Sequence, residues 1–257
     1  ASYAALAINN ARMADALVEQ ERMRKELELA REIQLDLLPN ISDIMNFPVN
    51  GMNVPALEVS GDFYDFFMRD DGLIYFNLAD VSGKGIKSSL LMSKASSLYS
   101  CLSKTNLSPA SLLTQLNNEI CETISRGMFV TMLIGIYDSN SKELLLANAG
   151  HEPPIILNDK SEFSNFNEAG PPLGIVAKTT YKEYKVKFEK SSMYIFTDGI
   201  TEIKNPQGEE LGSVGFQNYI TKYKEMPNNE RLQKIIDNIL DSKYVQKDDL
   251  TIVVLDA

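Results

Sequence analysis

Apolar residues recur along this chain at two different periods, and the change from one to the other divides it. Over residues 1–38, Leu6, Asn9, Met13, Ala16, Gln20, Met23, Leu27, Ala30, Gln34 and Leu37 follow one another at alternating spacings of three and four, the seam of a helix that offers one stripe to a partner surface. No Gly or Pro interrupts this stretch before Pro39, and the strong helix formers Ala, Leu, Glu, Met and Arg dominate it. The opposite face carries Glu19, Glu21, Arg22, Arg24, Lys25, Glu26, Glu28 and Arg31. The pattern predicts one long helix that Pro39 ends. Its stripe suits a helix lying along its own domain, or a parallel coiled coil joining two chains as a homodimer, in which the polar seam residues Asn9, Gln20 and Gln34 weaken the pairing and fix its register. The chain also opens inside the helical pattern with no N-cap in view, so an upstream sensor domain is expected.

Beyond Pro39 the period shortens to that of strands. Residues 40–56 read as irregular, with Pro48 and Pro55 restricting the backbone. The run FYDFFMRDDGLIYFNLAD then reads as two strands joined at Asp70-Asp71-Gly72, a turn composition that favours a hairpin. Such a hairpin brings Asp62 and Asp80, at its two far ends, side by side. After Asp80 the residues Val81, Ser82, Gly83, Lys84 and Gly85 form a glycine-permitted turn into a helix, whose stripe is Leu90, Leu91, Ala95, Leu98 and Leu102. A second helix starts at Ser108-Pro109, where serine caps and proline fits the first turn. FVTMLIGIYD and KELLLANAG follow as strands, Tyr181 to Phe188 alternates like another, MYIFTDG delivers Asp198, an amphipathic helix carries Leu232, Ile235, Ile236, Ile239 and Leu240, and a final strand runs from Leu250. Strand meanders interrupted by amphipathic helices indicate an α+β fold of packed sheets and helices. The chain divides into a helical linker, 1–38, and one catalytic-sized domain, 39–257.

Composition narrows the partners. A formal charge of -10 argues against nucleic acid, whose phosphates demand lysine and arginine. With 44% hydrophobic and 23% charged residues and no continuous apolar run approaching about 18 residues, the segment reads as globular, cytoplasmic and without a membrane span. Cys101 and Cys121 form neither a CxxC motif nor a disulfide framework, and are expected to be buried and inert.

The candidate chemistry lies in aspartates at strand ends. Asp62 follows Ser60-Gly61, Asp80 closes one apolar run, Asp198 closes another and Asp249 opens the last. Brought together, like charges repel strongly, and hard divalent cations are the ions that oxygen ligands hold. Convergence of these residues therefore implies Mn2+ or Mg2+. Asp65 is a lesser candidate, and Asp248 beside Asp249 leaves the register there open. His151, the only histidine, is weighted towards an orienting role over that of a general acid.

GDFYDFF, ADVSGKG, NAGHEPP, GPPLG, FTDGITE and DDLT, in this order and spacing, resemble the bacterial PPM/PP2C-like serine/threonine phosphatases of the SpoIIE/RsbU type, over about residues 30–257. The resemblance implies an αββα sandwich with two or three metal ions at one sheet edge. It implies Asp80 as the bridging ligand, the Val81 carbonyl as a ligand to one ion, Asp198 and Asp249 on the second, and Asp62 on the first directly or through water. Two cations about 4 Å apart generate a nucleophilic water and clamp the phosphoryl oxygens, so no Ser or Cys nucleophile is needed. The implied reaction is hydrolysis of phosphoserine or phosphothreonine on a regulatory protein, with a phosphorylated anti-anti-sigma (STAS) factor as substrate and control by an upstream partner through the N-terminal helix. Where eukaryotic-type enzymes of this fold carry Gly-His, this chain has Val81-Ser82, and no arginine precedes Asp62 to take the phosphate; Lys84 and Lys87 are the nearby cations. The competing readings are a non-catalytic dimerising signalling module of the same fold and a hydrolase of small phosphoesters.

Overall fold

The structure, a computed structural model, describes residues 2–39, 47–241 and 244–257. Helix α1 (Ser2–Leu35) precedes a body of strands β1 (Val49–Val54), β2 (Phe63–Met68), β3 (Leu73–Val81), β4 (Val130–Asp138), β5 (Glu143–Ala149), β6 (Ile155–Leu157), β7 (Phe163–Asn165), β8 (Tyr184–Lys187), β9 (Ser192–Phe196) and β10 (Leu250–Asp256). Helices α2 (Ile86–Leu102) and α3 (Pro109–Thr123) are inserted between β3 and β4, while α4 (Asp198–Glu202), α5 (Gly212–Tyr223) and α6 (Asn228–Asp241) lie between β9 and β10. One antiparallel sheet has the order β1-β10-β9-β6-β7 and the other β2-β3-β4-β5-β8.

Side-chain alternation explains the layering. Along β3, Tyr75, Ala79 and Val81 enter a core shared with α2 and α3, whereas Ile74, Phe76 and Leu78 enter the core between the sheets. In β10, Ile252 and Val254 face α5 and α6, while Val253 and Leu255 face the other sheet. Both central strands are covered on both faces, so both read as unbroken apolar runs. The result is the expected αββα sandwich, with three apolar layers between four layers of structure. No described helix is long and apolar enough to cross a membrane.

Most of the expected elements stand where the pattern put them. The β2–β3 hairpin turns at Gly72, whose φ of 83° needs glycine, and Ser108 caps α3 with Pro109 in its first turn. Three expectations are corrected and one unannounced hairpin is added. Residues 49–54, expected to be irregular, form edge strand β1, paired with β10 from Val49↔Leu255 to Val54↔Leu250; the prolines sit outside it, where no ladder hydrogen bond is lost. Of the expected α2 stripe, Ala95 is buried and Leu91, Leu98 and Leu102 pack at its margin, but Leu90 is exposed; the fully buried face also takes in Ser88, Ser89, Met92, Ser96 and Tyr99, the first two serines with their hydroxyls bonded back to the Gly85 and Ile86 carbonyls. Cys101 is exposed and Cys121 half-buried, as the same rotation dictates for Cys101. The short β6–β7 hairpin had no period long enough to announce it.

Helix α1 changes character along its length. Leu6, Met13 and Met23 are exposed, Leu27 and Ala30 are half-buried, and Gln34 is buried. Its last turns thus lie along the body, and Gln34 points into that body instead of onto an open coiled-coil seam.

Gly135 of β4 faces Phe76 of β3 in register, and a Cβ there would stand 2.0 Å from Phe76 Cζ. Gly135→Ala must displace a ring in the middle of the inter-sheet core, at a cost of about 1–3 kcal/mol. Urea unfolding should report that loss with an unchanged m-value; a variant as stable as the parent would contradict this packing.

Candidate active site

The β2–β3 register pairs Phe63 with Ala79, so the next positions outward, Asp62 and Asp80, adjoin at the open end of the hairpin. Asp62 is 2% exposed and accepts from two hydroxyls of the opposite sheet, Thr197 Oγ1 at 2.9 Å and Thr251 Oγ1. Asp80 is half-buried, opposite Thr131 of β4. Gly83 and Gly85, with φ of 88° and 77°, then turn the chain into α2.

The second sheet contributes from β9 and β10. Asp198 starts α4 directly after β9, half-buried, and Asp248 and Asp249 immediately precede β10. The two neighbours have separate tasks. Asp249 Oδ1 accepts from Ala56 N–H at 2.8 Å, and Oδ2 accepts from Ser60 Oγ and Gly61 N–H, each at 2.8 Å, so this carboxylate fastens the 56–61 loop. Asp248 faces Asp198 and Asp80, whose carboxyls both respond to its charge, and its Oδ2 lies 2.7 Å from Lys84 Nζ. Lys84 also donates to the Lys247 carbonyl.

Glycine at position 199 makes this closeness possible. A Cβ there would fall 2.1 Å from the Asp249 carbonyl oxygen and 3.3 Å from Asp248 Cβ. Gly61 acts in the same way on the other side, where a Cβ would meet the Val81 carbonyl oxygen at 3.1 Å and Ser88 Cβ at 3.3 Å. Beside Asp248 opens a cleft of about 190 Å³ lined by Lys84, Gly199, Glu202, Lys204 and Lys247, among others.

The electrostatics follow from burial and repulsion. Burial first, then the charges of Asp80 and Asp249, raise the Asp62 carboxyl well above its usual range, against the two threonine hydroxyls that stabilise its charge. Asp80 is pushed up to about 7, again chiefly by burial and next by Asp198. Asp198 is raised by burial, then by Glu202, Asp248 and Glu152. These are oxygen donors whose charges oppose one another, the donor chemistry a hard divalent cation satisfies. Among the described residues, no three His, Cys, Asp or Glu side chains close around a single point. The arrangement therefore suits ions that keep several waters and take one or two carboxylates each, as Mg2+ does.

The remaining sequence candidates separate cleanly. His151 is buried, its Nδ1 lies 2.9 Å from Thr131 Oγ1, and its backbone exchanges hydrogen bonds with the Asn148 side chain at 2.8 and 3.0 Å. Burial pushes its pKa down to about 3, and through its bonds to Asn148 it orders the turn after β5. Asp65 pairs across the strands with Asn77, away from the other aspartates, and the cation acting on it is Lys104. Thr197, Thr251 and Ser60 were not singled out from the sequence, and Gln34 was read only as a polar position of the α1 seam. The first two lie inside FTDG and DDLT, adjacent to or two residues from an aspartate, and that adjacency was the available signal.

Residues 70–257 match the family described as Stage II sporulation protein E (SpoIIE). The phosphoserine phosphatase RsbU of Bacillus subtilis (strain 168) is 31% identical over 240 residues, covering 92% of this chain and 71% of RsbU. The PP2C domain of SiaA from Pseudomonas aeruginosa superposes with a TM-score of 0.82 at 20% identity, over 93% of this chain and 98% of that one. RsbX in complex with magnesium superposes with a TM-score of 0.59 at 18% identity, over 80% and 92% of the two chains.

Two predictions come from this geometry. A carboxyl whose folded pKa is raised contributes stability that is complete below its unfolded value near 4 and is lost as pH climbs through its folded value, here about 7 for Asp80. Chelator-treated protein should therefore lose melting temperature between about pH 4 and pH 7, and Asp80→Asn should recover at least ~3 °C at pH 8; a flat profile in both proteins would rule out the repulsion. Gly199→Ala should part Asp198 from Asp248 and weaken Mn2+ binding in calorimetry by on the order of tenfold or more, and unaltered affinity would show that the backbone gives way without moving them.

Proposed function

This chain belongs to the SpoIIE family and is a PP2C-type protein serine phosphatase, and from that premise we propose that it dephosphorylates phosphoserine or phosphothreonine on a phosphorylated STAS-type anti-anti-sigma protein, using Mn2+ or Mg2+ and answering to a partner through α1. Phosphatases of the PP2C family are metal-dependent, and the magnesium complex of RsbX is one instance in the same fold. The observation that carries the reading is the meeting of Asp62, Asp80, Asp198 and Asp248 at one shared edge of two sheets, where, beyond burial, Asp80 and Asp249 push Asp62 up, Asp198, Asp248 and Asp249 push Asp80 up, and Glu202 and Asp248 push Asp198 up.

In this reading Asp80, Asp198 and Asp248 hold the cations, with the Val81 carbonyl as the backbone ligand. Asp248 takes the place first expected of Asp249, whose oxygens are already engaged by Ala56, Ser60 and Gly61. Bound Mn2+ or Mg2+ would supply an activated water and neutralise the phosphoryl charge. Asp62, out of solvent and held by Thr197 and Thr251, orients Asp80. Lys84 stands at the lip of the cleft where a phosphoprotein would enter, yet its ammonium is committed to Asp248, which makes it a poor phosphate anchor. A scaffold without catalysis would have no use for carboxyl groups whose mutual repulsion works against folding.

Phosphate release from a phosphoserine STAS-type protein, titrated with Mn2+ and Mg2+, tests the proposal. Asp198→Asn and Asp248→Asn should each lower kcat by on the order of a hundredfold or more, while Asp249→Asn should act mainly on thermal stability. No metal-dependent release from folded protein would defeat the phosphatase reading, and a larger kcat loss in Asp249→Asn than in Asp248→Asn would restore Asp249 as the ligand.

A further inference from the structure

Gln34 is the one side chain of α1 that is fully buried among the described residues, and it is a polar one. Its amide is spent on backbone. Oε1 accepts from Ser60 N–H at 3.0 Å, and Nε2 donates to the Ser60 carbonyl at 3.1 Å and to the Ser89 carbonyl at 3.4 Å. A glutamine that both donates to and accepts from one residue's backbone acts like a single rung of a β-ladder, and it fixes position and direction together.

The two segments it joins flank the aspartate pair. Ser60 lies two residues before Asp62; its Oγ accepts from Asp62 N–H at 3.0 Å and donates to Asp249 Oδ2 at 2.8 Å. Ser89 lies in the first turn of α2, just after the Gly83–Gly85 turn that follows Asp80. Upstream of Leu27 the stripe of α1 is exposed, so the helix is gripped at one end alone. Each residue of helix rotation turns a side chain by about 100°, and any such turn at position 34 withdraws the amide from both carbonyls at once.

We propose that Gln34 is a positioning residue through which the rotational setting of α1 fixes the geometry of the Asp62–Asp80 pair. This rests on the phosphatase reading only in calling that pair catalytic. Gln34 touches no reacting atom; it acts through Ser60 and Ser89. A partner that turns or shifts α1 would thereby retune the site without approaching it.

The test compares Gln34→Met, which keeps volume but removes every hydrogen bond, with Ile33→Ala at an exposed neighbouring position. In the Met variant, hydrogen exchange should quicken at least tenfold within 58–62 and 86–92 while β4, β5 and α6 keep their protection, and Mn2+ affinity measured by calorimetry should fall by about tenfold. Ile33→Ala should change neither. Gln34→Asn, which retains the amide but draws it back by one methylene, should give the same local pattern more mildly and serves if the Met variant does not fold. Unchanged exchange and affinity, or a rise in exchange spread evenly over the domain, would overturn the proposal and leave Gln34 as a packing residue. The two readings fail separately: local loosening with weakened Mn2+ binding in a chain that releases no phosphate removes the phosphatase reading alone. Full release by the parent with an indistinguishable Met variant removes the Gln34 proposal alone.

Discussion

Two antiparallel sheets packed through side chains of similar shape have little to stop one sliding over the other, since apolar contact is non-directional. In this chain the stop is polar and sits at one edge. Asp62, leading into the first strand of one sheet, accepts from Thr197 and Thr251 of the other, and Asp249, leading into the last strand, is held by Ala56, Ser60 and Gly61 on the connection before β2. Unlike apolar contacts, hydrogen bonds are directional and weaken steeply when bent or stretched. They set the relative height of the sheets, and with it the distances among the aspartates.

That lacing works against an opposing force. Burial makes the carboxyls it brings together costly to charge, and their mutual repulsion adds to that cost; Asp80 is pushed up to about 7. The fold accepts this because other contacts outweigh it: continuous apolar faces on β3, β4 and β10, and glycines at 61 and 199 where a methyl group would force the segments apart. The cations expected there would turn the repulsion into attraction. Stability and function thus pull the same residues in opposite directions until metal is bound.

Much of this was legible in the residues. The hairpin that sets Asp62 beside Asp80 follows from alternating apolar positions and an Asp-Gly turn, and the helix caps from Ser108-Pro109. What the sequence left open depends on rotation and on distant partners. The face of α2 was read only in part: Ala95, Leu91, Leu98 and Leu102 pack on the core, but serines counted as polar are buried beside them while Leu90 faces solvent. The choice between Asp248 and Asp249 could not be read because adjacent residues differ only in direction, and direction is set by the 56–61 loop nearly two hundred positions away. Gln34 looked like the polar member of a helical seam, and only the tertiary structure shows its amide closed on backbone. The order of motifs carried the family; the hydrogen-bond partners of each side chain were not readable from it.

The lacing at Asp62 bears on how this protein fails. In many enzymes the site is a soft region on loops that disorders well before the scaffold melts, so heat removes activity first and structure later. Here the groups that hold Asp62 in place are the same ones that pin sheet to sheet. Heat inactivation is therefore expected to accompany the parting of the two sheets instead of preceding it.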